Sequence, residues 1–301
     1  MSRFLSSHWS ASWPVLIVYA AVAGVHLAGL RRLLSADKSA DSAAADRRAT
    51  IREAAVFQGG LLLALLAIVS PIGYWSGVYI WVRALQGLTL AFVAPGLIVL
   101  GAPGPALARG LGRPVPRGTD PAGPPPWWLR WPVATVLAFN VIWVAWHLTA
   151  LFDRVPSSRV ATVAEHLLYL GAGTLFWLQL IGSWPWSPAA PPLRRAALLA
   201  GTVVVDSVLG MVLVFGASVI YPGYANAGHH VMTVLDDQQL AGAVLWMGML
   251  PVVAVAAVAV LMRWLGDEES AAFSAADVER LLAQPDPAQR SSAWPSRPRF
   301  R

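Results

Sequence analysis

The sequence contains no cysteine, and only 13% of its 301 residues are charged. Without cysteine the chain has no disulfides, iron–sulfur clusters or thiolate metal sites, so any metal would need histidine, methionine or carboxylate ligands. A soluble domain carries about 25% charged residues, and with 56% hydrophobic residues a lipid bilayer is the simplest environment for this chain. It also has no HExxH zinc signature, no phosphate-binding glycine loop and no serine at motif spacing from a histidine base. We therefore do not expect an enzyme.

Seven stretches of the chain are long and apolar enough for membrane-spanning helices, which need roughly 20 mostly apolar residues. We predict an all-α bundle of seven transmembrane helices at Pro14–Leu34, Ala54–Gly73, Tyr79–Gly101, Pro132–Leu151, Arg159–Trp184, Ala197–Ile220 and Gln238–Leu265. Residues 1–265 would form this domain, and residues 266–301 a tail with a short helix at Ser274–Leu282 followed by a disordered end. The linkers Ser35–Thr50 and Gly101–Pro126 are expected to be loosely ordered.

Basic residues indicate the orientation of this bundle. Of the 22 Lys and Arg residues, 18 lie in the tail or in the loops between the first and second, third and fourth, and fifth and sixth stretches. Cytoplasmic loops are enriched in such residues, so we expect the amino terminus outside and the carboxyl terminus in the cytoplasm of a bacterial inner-membrane protein. The basic residues occupy short loops instead of one continuous face, so nucleic acid is not an expected partner.

Polar and ionisable residues gather at the outer ends of the predicted helices. Each ionisable group inside a bilayer costs about 2.5–3.5 kcal/mol on insertion scales, so several at one depth suggest a shared site. Imidazole, thioether and carboxylate ligands suit copper best among the redox metals, with zinc second. The candidate metal ligands are His147, Glu165, His166, His229, His230, Met232 and Asp237, and the supporting residues are Arg83, Gln86, Gln238, Gln239 and Trp246.

Several of these residues also have a purely structural interpretation. Arg83 can pair with Glu165 or Asp237 and so lock the third, fifth and seventh helices together. The aspartates before the seventh helix can cap it and interact with its dipole. His26 and Asp206, in the cytoplasmic half, are expected to form hydrogen bonds between helices.

Four stretches of the chain resemble the CtaG family of cytochrome c oxidase assembly factors. They are Phe92–Pro103 (FVAPGLIVLGAP), Trp146–His147 with Phe152–Asp153, Glu165–His166 with Gly171, Gly173, Phe176 and Trp177, and Asp237–Gly242 (DQQLAG) with Trp246. The resemblance runs from about Val78 to Glu269. It implies a role in maturing haem–copper oxidase, with copper handled on the outer side and oxidase subunits as partners. The family often carries histidines where this chain has Arg83, Gly87 and Thr162.

Two other functions are compatible with the same residues. His147 and His166 could be the axial ligands of a b-type haem. Broken helices with midplane polar groups could also belong to a transporter of copper or another small solute, although the cytoplasmic half offers few polar residues for a path. A non-enzymatic assembly factor or metallochaperone is the preferred interpretation, because the family resemblance supports it.

Overall fold

The computed structural model describes residues 8–10, 12–36, 43–115, 127–183, 190–225 and 232–254, together with 257, 258 and 261. Within these residues the regular structure is helical and contains no strand, which confirms the predicted all-α class. The predicted tail helix Ser274–Leu282 and the rest of residues 266–301 lie outside the described residues.

Seven long helices correspond to the seven predicted stretches. They are α1 (Trp13–Ala36), α2 (Ala43–Val69), α3 (Ile80–Leu100), α4 (Pro132–Trp146), α5 (Arg159–Leu180), α6 (Pro192–Phe215) and α7 (234–254). Shorter helices occupy Pro71–Trp75, Gly104–Gly110 and Thr149–Phe152, and 3-10 turns occupy Trp127–Arg130 and Pro222–Tyr224.

Four of the described helices are long and apolar enough to cross a membrane, by length and composition. These segments are Trp13–Ser35, Asp46–Val69, Ile80–Leu100 and Pro192–Phe215, while α4 is apolar but shorter. The number of spans and the orientation of the termini therefore remain predictions.

Two segments predicted to be loosely ordered contain helix instead. α2 begins at Ala43, inside the predicted linker Ser35–Thr50, because its first turns are rich in alanine and arginine, which favour helix even where the chain is too polar for lipid. The short helix Gly104–Gly110 lies inside the predicted linker Gly101–Pro126. It packs so closely on α1 that a Cβ on Gly29 would lie 1.7 Å from the carbonyl oxygen of Ala106.

α3 is the central helix of the described bundle. In an apolar stretch of 18 residues within α3, 72% of the residues are buried. In the corresponding stretches of α1, α2 and α6, only 17–28% are buried. A π-helical turn at Thr89–Val93 interrupts it just before Pro95. The Phe92 carbonyl in this turn accepts a hydrogen bond from Trp177 Nε1 at 2.8 Å. This hydrogen bond ties the irregular turn of α3 to α5. Single π-helical turns inside α-helices are frequent at functional sites.

Candidate functional site: a buried ion-pair cluster

The polar centre of the fold is an ion pair between α3 and α5. Arg83 Nη2 lies 2.5 Å from Glu165 Oε1, and the two side chains are only 5% and 4% exposed. Buried charges of this kind persist only when they are paired and hydrogen-bonded. Of the two partners expected for Arg83, the structure shows Glu165.

Aromatic side chains enclose this ion pair. The Arg83 Cζ atom lies 4.4 Å from the ring centroid of Phe152, a cation–π contact. The Tyr224 hydroxyl lies within hydrogen-bonding reach of Arg83, and the Tyr169 hydroxyl lies within reach of Glu165. We refer to Arg83, Glu165, Phe152, Tyr169 and Tyr224 as the ion-pair cluster.

The turn Pro222–Tyr224 between α6 and α7 closes the cluster on one side. The Tyr224 hydroxyl donates to the Ser76 carbonyl oxygen at 3.0 Å, and the Tyr221 hydroxyl donates to the His147 carbonyl oxygen at 2.9 Å. Tyr221 also stacks on Phe152, with ring centroids 3.9 Å apart. Burial raises the pKa of both tyrosines well above the ordinary value, so their hydroxyls keep the protons that they donate.

Asp153 anchors this turn from the segment that follows α4. Its Oδ2 atom accepts a hydrogen bond from the Gly223 amide at 3.1 Å. A Cβ at Gly223 would lie 2.7 Å from Asp153 Cγ, so only glycine allows this close approach. The two tyrosines of the YPGY sequence were not predicted as site residues. The sequence signal that could have identified them is a pair of aromatic residues on either side of a Pro-Gly turn.

His147 and His166 lie next to the ion-pair cluster. Arg83 is close enough for its charge to act on both imidazoles. His147 is buried, and its Nδ1 atom lies 2.8 Å from the Trp143 carbonyl oxygen. Because a carbonyl oxygen can only accept, Nδ1 carries the hydrogen and Nε2 keeps the lone pair. Arg83 and Glu165 are thus in direct contact, and both histidines lie within range of the Arg83 charge; their role as metal ligands stays a prediction.

Asp237, another predicted ligand, binds the start of α3 instead of the ion pair. Its Oδ2 accepts from the Ile80 amide at 2.8 Å and its Oδ1 accepts from the Trp81 amide at 2.9 Å. Tyr79, the residue at the cap position of α3, makes no side-chain cap hydrogen bond. Asp237 is thus an N-cap supplied from another helix, with its negative charge at the positive end of the α3 dipole.

The N-cap of α7 is Thr233, and one of the two aspartates predicted to cap this helix, Asp236, occupies its third helical position instead. Its Oδ2 accepts from the Thr233 hydroxyl at 2.7 Å, and its amide donates to Thr233 Oγ1 at 3.1 Å. This reciprocal pair is a capping box. The two adjacent aspartates therefore stabilise the starts of two different helices: Asp236 through the Thr233 cap of α7, and Asp237 through the amides of the central helix α3.

The predicted supporting glutamines connect α3 and α7 to neighbouring backbone. Gln86 Nε2 donates to the Ala67 carbonyl oxygen at 2.7 Å. Gln238 accepts from the Ile220 amide at 2.6 Å and donates to the Ser218 carbonyl oxygen at 3.2 Å. Gln239 Nε2 lies 3.5 Å from the Gly216 carbonyl oxygen. Trp246, the last residue of this predicted set, lies against Gly210 of α6.

The two carboxylates predicted as metal ligands are engaged by groups of the protein itself. Glu165 is paired with a guanidinium, and both oxygens of Asp237 are bound by backbone amides. Across the described ranges, no group of three or more His, Asp or Glu side chains could hold a metal ion. Met232 is described just before α7, whereas the predicted ligands His229 and His230 lie outside the described residues.

The described fold is that of an all-helical protein with helices suited to a membrane and a buried, neutralised charge cluster at its centre. The model of the family described as cytochrome c oxidase caa3 assembly factor (Caa3_CtaG) matches residues 13–267. The chain belongs to this family, which confirms the resemblance and extends it over α1 and α2. Comparisons with curated proteins and with solved structures gave no match.

Proposed function

We propose that this chain is an integral membrane assembly factor for a caa3-type cytochrome c oxidase and has no catalytic activity of its own. The observation that carries the proposal is the family match, because residues 13–267 include all seven long helices and every residue of the ion-pair cluster. Oxidase subunits are the partners that such a role requires.

The proposed topology has seven membrane spans, with the amino terminus outside and the carboxyl terminus in the cytoplasm. It is supported by the basic residues of the loops and by the four helices of sufficient length and apolarity. Alkaline phosphatase fused after Phe152 should be active, and the same enzyme fused after Arg113 should be inactive. The reverse pattern would contradict the proposed orientation.

Within this role, the ion-pair cluster would be a fixed internal support. Its charges neutralise each other, and its aromatic residues come from three separate segments of the chain. Such a core holds α3 and α5 in one relative position and leaves the outer surfaces of the helices for contact with oxidase subunits.

Handling of copper on the outer side is a second part of the proposal. The donors that remain for it are His147, through the Nε2 lone pair, together with His166, His229, His230 and Met232, because the carboxylates of Glu165 and Asp237 are engaged. His147→Ala combined with His166→Ala should lower the copper content of the purified protein, while Asp236→Asn should leave it unchanged. Unchanged copper in the double variant would remove these histidines from the copper site.

The visible spectrum of the same preparation tests the haem alternative. A Soret band that is lost in the double histidine variant would favour a b-type haem bound by His147 and His166. A colourless protein would be consistent with an assembly factor.

Deletion of the gene tests the assembly role directly. The deletion should lower the haem a absorbance of membranes, and expression of the wild-type chain should restore it. If copper delivery is the limiting step, added copper should also restore part of the absorbance. Full oxidase absorbance in the deletion strain under copper limitation would contradict the proposed function.

A further inference from the structure

A second buried polar group lies between α4 and α6, apart from the ion-pair cluster. Asn140 Nδ2 donates to Thr202 Oγ1 at 3.0 Å, and Trp143 Nε1 donates to Asp206 Oδ1 at 3.2 Å. Asp206 is 0% exposed. These contacts confirm the prediction that Asp206 forms a hydrogen bond between helices, but they do not satisfy the whole group.

Two oxygen atoms of this group have no hydrogen-bond partner among the described residues. They are Asp206 Oδ2 and Asn140 Oδ1, and both are buried. The orientation of the Asn140 amide is fixed, because its Nδ2 also donates to the Val136 carbonyl oxygen at 2.8 Å, where an oxygen would be repelled. Thr202 cannot supply the missing hydrogen, since its hydroxyl donates to the Leu198 carbonyl oxygen at 3.1 Å. The group therefore has more acceptors than donors.

The charge of Asp206 is also unbalanced. The influences on its carboxyl group are burial, which comes first, and the hydrogen bond from Trp143. No cation of the described residues pairs with it, in contrast to Glu165 beside Arg83. From α7, the residues packed on the next turn of α6, at Gly210, are the uncharged Gly242 and Trp246. An ionised carboxylate without a partner is costly inside a protein and more so inside a membrane.

We propose that Asp206 holds a proton in the folded protein and that Asn140, Trp143, Thr202 and Asp206 form a buried proton-binding site. A proton on Oδ2 removes the uncompensated charge and turns a surplus acceptor into a donor. Trp143 continues to donate to Oδ1, so no existing hydrogen bond is lost. This site is independent of the oxidase role, because it rests only on residues of α4 and α6.

Infrared spectroscopy of the purified wild-type protein tests the proposal. A protonated carboxylic acid has a C=O stretch at higher frequency than the carboxylate bands, and this stretch shifts in heavy water. At neutral pH, we expect such a band in the wild type and in Asp236→Asn, a control variant that changes an exposed aspartate outside the α4–α6 group. We expect the band to be absent from Asp206→Asn.

Two results would overturn the proposal. An identical carboxylic acid band in wild type and Asp206→Asn would show that the proton lies elsewhere. Loss of the wild-type band on addition of sodium or potassium chloride would show that the site binds a metal cation in place of a proton. If Asp206→Asn does not accumulate, Asp206→Glu keeps the acid but changes its surroundings, and an unshifted band in that variant would equally refute the proposal.

The pH dependence of stability gives a second measurement. A carboxyl group that is protonated only in the folded state stabilises the fold at low pH, and that contribution is lost as the pH rises. The melting temperature of the wild type should therefore fall more steeply towards alkaline pH than that of Asp206→Asn. Parallel curves would contradict a bound proton.

Discussion

Removal of one charge from the ion-pair cluster should destabilise the protein much more than removal of both. Glu165→Gln leaves the Arg83 guanidinium buried against Phe152 and Tyr224 without a counter-charge. Arg83→Met leaves the Glu165 carboxylate with only the Tyr169 hydroxyl nearby. The guanidinium in Glu165→Gln cannot lose its charge, so the free energy of unfolding should fall by about 3–5 kcal/mol in that variant. The Glu165 carboxyl group in Arg83→Met can take up a proton, so that variant should also be destabilised, but by less.

The double variant Arg83→Met with Glu165→Leu should behave differently. Both side chains are at most 5% exposed, so apolar residues of similar volume replace the pair in a site that is already closed to solvent. Replacements of this kind elsewhere are neutral or stabilising by about 1–4 kcal/mol. Loss of the polar contacts with the Tyr169 and Tyr224 hydroxyls offsets part of that gain. We expect the double variant to lie within about 2 kcal/mol of the wild type.

Unfolding by SDS in mixed micelles, followed by circular dichroism, measures the stability of the wild type, of both single variants and of the double variant. Together these four values form a double-mutant cycle. The predicted coupling energy between the two positions is several kcal/mol, far above the value of about 0.2–1 kcal/mol found for exposed pairs. A Glu165→Gln variant as stable as the wild type would show that the ion pair does not stabilise the fold. So would a double variant whose loss equals the sum of the two single losses.

Three further variants, with Gly171→Ala as a control, test the packing around the cluster, and unfolding in the same micelles is the measurement. Asp237→Ala leaves two amides of α3 without their cap and should cost about 2–3 kcal/mol; a wild-type stability would argue against the cap. Gly173→Ala places a Cβ 2.1 Å from the Ala91 carbonyl oxygen and should cost at least about 1–3 kcal/mol, whereas Gly171→Ala has open space and should be neutral or stabilising. Equal effects of the two alanines would contradict this α3–α5 contact. Tyr224→Phe should cost about 1 kcal/mol through its lost hydrogen bond, and no change would mean that the turn is held by its rings alone.

The sequence predicted the features that depend on composition and on the expected depth of a residue in the membrane. Long apolar stretches gave the positions of the seven helices, and a carboxylate and a guanidinium at similar predicted depth gave the Arg83–Glu165 pair as one of two alternatives. The start of α2 at Ala43 was missed because the helix extends beyond its apolar part. Hydropathy describes contact with lipid, and it does not report where the backbone stops being helical.

The remaining features depend on contacts between distant segments. Asp237 looks like a cap for the helix that follows it, yet its partners are the amides of Ile80 and Trp81, about 156 residues earlier. Tyr221 and Tyr224 lie in a turn without periodicity, so no pattern places them over Arg83. A local sequence signal identifies a residue that can cap a helix or cover a buried charge. Only the tertiary fold selects which helix or which charge that is.

In the proposed function, the charges of Arg83 and Glu165 support the fold and do not themselves act on the oxidase. The most direct test is the haem a absorbance of membranes from the deletion strain that expresses the double variant Arg83→Met with Glu165→Leu, divided by the amount of the chain in the membrane. We predict the same ratio as for the wild type, and a lower amount of chain for each single variant. A double variant that is present at wild-type level but restores no oxidase would contradict the claim.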